Sequence, residues 1–519
     1  MENKSEKEFI RSTRRADVYA ESSTEYSLPD YNGDVRKLLF TEAEVRPAGK
    51  FSDGGELEFS GIVVYNVVYL DGEGKLSSVS FSSDYEYSMK SGSETYVDAR
   101  ADTKVANYGI RLTGPRRISA KASVVGSVTV SERDTVSVSG SAFENGGEVE
   151  MLEREVMIRS VGSAHPVERE YAERLLSLDG AISEEVKIIY SGAEVDIDEV
   201  KIEDGALRLE GELKLYAVVQ NGDEPAYLTE REIDISESIP YEGAADGEIY
   251  IPEAVVVSVK DSVNPTDMGS DVVLSVIVEY GLRGEKNAPV SLICDAYMQK
   301  CVTENTYEDF SYTAFSDYVT DVSELHGKIN REELEATGLR EVIILRATPK
   351  LEGVSCDGNT VTVEGEARFS GVISASNDDG TISYHGVKFA TPFTKNVKLN
   401  CQYNDKMRLE PKVRLSHTTG SIDADNVYAS CTLELGVLAT QEMSVRALSE
   451  SQAREDLPFE ERPARVTVYY PDRGETLFSV AKRFHTTTAK VAADNSLSVS
   501  TVADGTDTSL SGIKRLVIS

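Results

Sequence analysis

The chain has 519 residues, too many for one hydrophobic core and enough for three or four domains. Its 89 acidic residues outnumber its 54 basic residues and give a formal net charge of -35, spread along the chain rather than held in one tail. Such a surface repels nucleic acid and anionic lipid, so binding of either is not expected. The acidity either keeps a multidomain chain soluble or recognises a basic partner.

Targeting signals and cysteines indicate the compartment. No stretch approaches the roughly 20 apolar residues of a membrane span. The first 20 residues are charged and lack the apolar core of a signal peptide, so we expect no signal peptide. The five cysteines are odd in number and form no CxxC pair, which indicates free thiols. A disulfide or metal pair of Cys294 with Cys301 is the alternative.

From the N-terminal region onward, one pattern recurs three times. Ala43, Ala193 and Ala347 each follow an apolar run, and eighteen residues beyond each alanine lies a glycine. These glycines are Gly61, Gly211 and Gly365. The alternating strand pattern before each glycine predicts that the glycine marks a bulge or a close backbone approach. A period of about 150 residues fits tandem copies of a whole domain rather than a solenoid.

Each copy is predicted to be a β domain. Segments within all three copies alternate apolar with polar residues, are rich in Val, Ile, Thr and Tyr, and are bounded by Gly, Asn and Asp. The sequence therefore predicts a mainly β protein with three tandem β-sandwich-like repeats, at residues 8–148, 149–300 and 301–446.

The sequence shows none of the usual catalytic patterns. The five histidines are scattered, with none in HExxH or another metal spacing, and no P-loop, GxSxG or GxGxxG occurs. Pairs of carboxylates are frequent, but they lack the glycine and the distal glutamate of a calcium loop. We therefore expect no enzymatic activity, no cofactor and no metal site.

The residue pattern changes in the last part of the chain. Residues 447–464 are polar, contain two prolines and show no periodicity, so they are predicted to be a linker. Within residues 465–519, Val466 to Tyr470 is predicted to be a strand. Thr476 is predicted to cap a first short helix, and a second short helix and a final strand follow.

Residues in this tail resemble the LysM family. Gly474 to Ala481 resembles the signature Gly-Asp-Thr-Leu-Trp-x-Ile-Ala, with Phe478 in place of the Trp. Asn495 stands where the family has its Asn, and Leu510 to Ile518 resembles the closing motif, although Ser511 replaces a Pro and the preceding loop, which carries Asp504 and Asp507, is long. The resemblance implies a small α/β domain of βααβ order at residues 465–519. LysM domains generally bind N-acetylglucosamine-containing glycans in a groove, here lined by Gly474, Thr476, Leu477, Phe478, Asn495, Ser496 and Leu497.

The whole chain resembles the SPOCS-domain proteins of spore-forming Firmicutes. The resemblance rests on the tandem β repeats, on Leu28-Pro29-Asp30 and Asp295-Ala296-Tyr297, and on the terminal LysM-like segment. It implies a non-enzymatic spore coat scaffold in the mother-cell cytoplasm, at the forespore surface. Its LysM domain would bind the coat-basement ATPase, stage IV sporulation protein A. The alternative interpretation is a peptidoglycan- or spore-cortex-glycan-binding protein exported by an unrecognised route, and a cell-wall hydrolase is less favoured for lack of a catalytic set.

Overall fold

Antiparallel β-sheets make up most of the molecule, as the alternating apolar pattern predicts. The computed structural model describes all residues except 1–5, 31, 54, 91–95, 145–148, 165, 204–205, 242–243, 245–246, 335, 337, 424, 461–465 and 498–508. The chain is mainly β, which confirms that part of the sequence prediction.

Segment 1, residues 6–144, builds two three-stranded sheets. Its elements are β1 (Glu6–Ser27), β2 (Val35–Asp53), β3 (Glu56–Asp71), β4 (Leu76–Lys90), β5 (Tyr96–Gly114), β6 (Arg117–Ser137) and the short helix α1 (Ser141–Glu144). The strand order is β2-β3-β4 in one sheet and β1-β6-β5 in the other. Leu57 and Tyr65 of β3 share an apolar cluster with Ala122 and Val124 of β6, so the two sheets pack face to face.

Segment 2, residues 149–298, adds a second pair of sheets. Its strands are β7 (Val149–Ser163), β8 (Val167–Asp179), β9 (Val186–Glu203), β10 (Ala206–Asn221), β11 (Tyr227–Pro240), β12 (Ile249–Thr266) and β13 (Gly269–Met298). The order is β11-β10-β9 in one sheet, while the long β13 pairs with β12, β8 and β7 in the other. Leu213 and Leu215 of β10 pack with Leu274 and Val276 of β13.

Segment 3, residues 301–458, has the third pair. It comprises β14 (Cys301–Asn330), a 3-10 turn (Arg331–Leu334), β15 (Leu339–Asp357), β16 (Thr360–Ser376), β17 (Ile382–Lys398), β18 (Met407–Ile422) and β19 (Asn426–Pro458). The sheets are β15-β16-β17 and β14-β19-β18. Phe369 of β16 packs with Cys431 and Leu433 of β19, so Cys431 serves as a small buried core residue.

The structure corrects the predicted linker at residues 447–464. Strand β19 continues to Pro458 and pairs with β14 along this stretch. Ser451 is fully buried and donates a hydrogen bond to Asn305 Oδ1 (2.8 Å). The polar composition of the stretch therefore reflects the hydrogen bonding of a paired strand, whereas we interpreted it as solvation of a linker. Residues 461–465 of the predicted linker lie outside the described residues.

The three glycines identified from the sequence lie where neighbouring strands approach closely. A register shift lies beside each of them in the strand pairing. A Cβ atom would lie under 3.0 Å from the backbone oxygen of Arg46 at Gly61, of Asp196 at Gly211 and of Lys350 at Gly365. A side chain at these positions would force the paired strands apart, which confirms the predicted close backbone approach.

The three segments close into a ring through their first sheets. Strand β4 contacts β9, β11 contacts β15, and β17 contacts β2. The ring encloses one apolar cluster, to which each segment contributes side chains at the same spacing. Its members include Leu39, Ile189 and Ile343, and also Val68, Val218 and Val372. Because the three segments share this apolar cluster, they pack as a single unit rather than as separate domains.

The far ends of the long strands provide a second contact among the segments. Val156 of β7, Leu292 of β13 and Tyr312 of β14 share an apolar cluster that also includes Val445 of β19. Helix α1 contacts β19, where Ser141 Oγ donates to Gln452 Oε1 (3.0 Å). Segment 1 is thereby tied to segment 3 at a point distant from the ring cluster.

A charged group lies beside the ring cluster, where all three segments meet. The largely buried Arg346 of segment 3 forms ion pairs with Glu42 of segment 1 (Nε to Oε1, 3.5 Å) and Glu194 of segment 2. Its guanidinium lies 5.1 Å from the ring centroid of Tyr216, in cation–π geometry. Glu44 of segment 1 lies 4.0 Å away on the same side. Three carboxylates from two segments thus surround one guanidinium from the third.

The excess of negative charge around Arg346 makes the contact between the three segments sensitive to pH. The neighbouring Glu42 carboxylate, together with burial, raises the pKa of Glu44 from 4.5 to about 7. The folded state therefore binds this proton more tightly than the unfolded chain does. Stability contributed by protonated Glu44 is present below pH 4.5 and is lost as the pH rises through about 7.

Replacement of this carboxyl group tests the effect. Because Glu44 is partly exposed, we expect Glu44→Gln to stabilise the protein by only about 1 kcal/mol at pH 8, and by close to nothing at pH 5. Urea unfolding midpoints of the native and variant chains at the two pH values measure the difference. An equal shift at both pH values would show that Glu44 is not protonated in the folded state.

Candidate functional site

The C-terminal module, residues 466–519, has the element order strand, helix, helix, strand. Its elements are β20 (Thr467–Tyr469), α2 (Leu477–Arg483), α3 (Thr488–Asp494) and β21 (Leu516–Ile518). Strands β20 and β21 pair antiparallel, with Val468 opposite Val517. Thr476 and Ser479 form a reciprocal capping box at the start of α2.

The first predicted binding loop divides between surface and core. Gly474 is exposed with φ +91°, a conformation that favours glycine. Thr476 is half-buried and its hydroxyl caps α2. Leu477 and Phe478 are buried, at 0% and 3% exposure, within the apolar cluster of the module. Two of these four residues therefore serve the core.

The second predicted binding loop is held by its asparagine. The Asn495 amide donates to the backbone oxygens of Val491 (2.8 Å) and Val517 (2.6 Å), and its Oδ1 accepts from Val517 N (2.6 Å). Asn495 thus fastens the end of α3 to β21. Ser496 is exposed with φ +54°, and Leu497 packs on the same cluster as Phe478. Asp504 and Asp507 of the adjoining loop lie outside the described residues.

The module docks on segment 2 through an aromatic contact. Tyr297 of β13 lies in the apolar cluster of the module, with its ring 5.1 Å from Phe478 in an edge-to-face arrangement. The Tyr297 hydroxyl donates to the backbone oxygen of Thr486 (2.6 Å). Burial raises the pKa of Tyr297, so the hydroxyl remains a donor. Phe478, which was predicted to line a binding groove, packs against Tyr297 of segment 2.

Charged groups surround this aromatic contact. Lys482 Nζ of α2 donates to both carboxylate oxygens of Asp295 (2.7 and 2.6 Å). At the start of α3, the backbone amide and hydroxyl of Thr488 donate to Glu150 Oε2 of β7 (3.3 and 3.0 Å). The acidic side of the contact comes from segment 2 and the donors come from the module. Together with Tyr297, these pairs fix the orientation of the module.

The module also carries apolar side chains in solvent. Val468 of β20 and its neighbours Val466 and Tyr470 stand at alternate positions and are 53%, 56% and 68% exposed. Tyr470 begins the turn that leads to Gly474. We call these three residues the outer stripe. Sequence reasoning treated them only as a strand, although their alternation with the half-buried Thr467 and Tyr469 is the signal that marks an exposed face.

Other features of the described part of the chain bear on function. Its five cysteines are all free, including Cys294 and Cys301. No group of three or more His, Cys, Asp or Glu residues that the structure describes is arranged to hold a metal ion. No helix within the described ranges is long and apolar enough to cross a membrane.

Comparison with protein-family models, with curated proteins and with solved structures gives no match to this chain. Arguments about function therefore rest on the residues and their geometry.

Loss of the aromatic contact tests the docking. We expect Tyr297→Ala to increase the rate at which a protease separates the module from segment 3 on the order of 10-fold, because undocking exposes the connection more often. Timed limited proteolysis of the full chain, followed by mass spectrometry, measures the rate. Tyr19→Ala is the control, because Tyr19 is 67% exposed on β1. Equal rates in native protein and Tyr297→Ala would mean that the contact does not hold the module.

Proposed function

We propose that the chain is a non-enzymatic scaffold that binds a protein partner through its C-terminal module. The observation that carries the proposal is the outer stripe, because three exposed apolar side chains on one strand suit a protein surface better than a sugar. Two of the residues expected to line the glycan groove are otherwise engaged: Phe478 is buried against Tyr297, and Asn495 bonds to β21.

We further propose that segments 1 to 3 are copies of one SPOCS-like domain and that the module is a LysM domain. The common order of sheets, the three crowded glycines and the apolar residues at matched spacing support the first part. The βααβ order and the capping box at Thr476 support the second. The architecture then resembles that of the SipL-like spore coat morphogenetic proteins.

On this interpretation the partner is stage IV sporulation protein A, the coat-basement ATPase, and the chain acts in the mother-cell cytoplasm at the forespore surface. Docking on segment 2 supports a role in assembly, because it holds the module in place while the outer stripe stays exposed to solvent. The partner would gain a fixed geometry relative to the ring of three segments, which is what a scaffold supplies.

A binding comparison tests the proposal. We expect the full chain to bind the purified ATPase, and Tyr470→Ala to weaken that binding about 10-fold, because an exposed aromatic side chain is a frequent hot spot. Surface plasmon resonance measures the dissociation constants. Tyr19→Ala is the matched control, because Tyr19 is 67% exposed and Tyr470 is 68% exposed.

Co-sedimentation with purified peptidoglycan completes the comparison. We expect only background association of the native chain with this glycan. Saturable peptidoglycan binding that is lost in Ser496→Lys, together with no detectable binding of the ATPase, would overturn the scaffold proposal in favour of glycan recognition.

A further inference from the structure

A cavity of about 890 Å³ lies between the three segments, beside the ring cluster. All three contribute to its walls, for example Val64 of segment 1, Val256 of segment 2 and Leu351 of segment 3. Its volume lies within the roughly 300–1,000 Å³ of sites that hold small molecules. The cavity is independent of the C-terminal module and of the role proposed for it.

Apolar side chains and aromatic rings form the inner part of this cavity. Ile189 and Tyr190 line it from β9, and Tyr216 lines it from β10. Tyr190 and Tyr216 are themselves buried in the ring cluster, so their positions are fixed by packing. A bound molecule would therefore meet a rigid apolar wall.

The charge of the lining differs from that of the chain. Five basic residues line the cavity, against three acidic ones: Arg15, Arg46, Lys104, Lys412 and Arg414 against Glu44, Asp102 and Asp261. The carboxylates of Asp196 and Glu410, which do not line the cavity, pair with Arg414 and Arg15, so the charges around the cavity come close to balance. In a chain with 54 basic and 89 acidic residues, such a balanced position repels an anion less than the rest of the surface does.

Among the residues that the structure describes, three of these basic residues are not held in an ion pair: Arg46, whose charge acts on Glu44, and two lysines. Arg414 is already paired with Asp196, and Arg15 lies 3.9 Å from Glu410. Lys104 of β5 and Lys412 of β18 have no ion-pair partner within 4.0 Å among the residues that the structure describes. They belong to different segments, so a ligand that bonds to both would bridge segments 1 and 3.

We propose that this cavity is a binding site for an amphipathic organic anion, with its acidic group at Lys104 and Lys412 and its apolar body against the valines and tyrosines of the wall. Neutral apolar molecules lack the group that the lysines recognise, and inorganic anions lack the body that the wall accommodates.

A matched pair of probes tests the site in the full chain. 8-Anilinonaphthalene-1-sulfonate carries an anionic group on an aromatic body, and N-phenyl-1-naphthylamine is the same body without the sulfonate. Fluorescence titration of the native protein is expected to show one saturable sulfonate site per chain. Lys104→Glu and Lys412→Glu should each weaken it about 5-fold, because a carboxylate then faces the anion.

Lys398→Glu is the control, because Lys398 is an exposed lysine on β17 that does not line the cavity. It should leave sulfonate binding unchanged, and circular dichroism should show native secondary structure in all three variants. The proposal is overturned if the native chain shows no saturable sulfonate binding. It is also overturned if Lys398→Glu weakens binding as much as Lys412→Glu does, or if the neutral probe binds as tightly as the sulfonate.

Discussion

Beside the shared ring cluster, one guanidinium group joins the three segments. Arg346 of segment 3 pairs with carboxylates of segments 1 and 2, at a point where those carboxylates are largely removed from water. Burial has already removed most of the water around these carboxylates. Without the guanidinium, this loss of solvation would be uncompensated and the negative charges would repel each other, which is a large destabilising effect. The matched positions in the other segments hold Glu42 and Gly192, so the junction is asymmetric. A Cβ at Gly192 would collide with Tyr216, the ring beneath Arg346.

The asymmetry has a consequence for how the chain works. A ring of three identical domains could not place one arginine against three carboxylates, so covalent linkage in one chain permits a junction that an assembly of identical copies would not form. The C-terminal module extends this order outward. It is fixed to segment 2 by Tyr297 and Asp295, and its outer stripe is exposed to solvent.

Local features could be predicted from the sequence, and long-range contacts could not. Alternating patterns predicted the β fold, the spacing located Gly61, Gly211 and Gly365, and Thr476 predicted the start of α2. The linker prediction was wrong for residues 447–458, because polar residues of β19 are engaged in strand pairing there. Phe478 was assigned to a groove on the LysM resemblance, and no local pattern could show its contact with Tyr297, which lies 181 residues earlier in the chain. The ion pairs of Arg346 could not be predicted for the same reason, because Glu42 and Glu194 belong to other segments.

Native-state hydrogen exchange of Arg346→Met tests the central claim that this guanidinium holds the three segments together. The account predicts that amides of β2, β9 and β15 lose protection together, because the uncompensated carboxylates loosen the junction in all three segments. Exchange confined to β15, with β2 and β9 as well protected as in the native chain, would show that the segments are held together without Arg346 and would contradict the account.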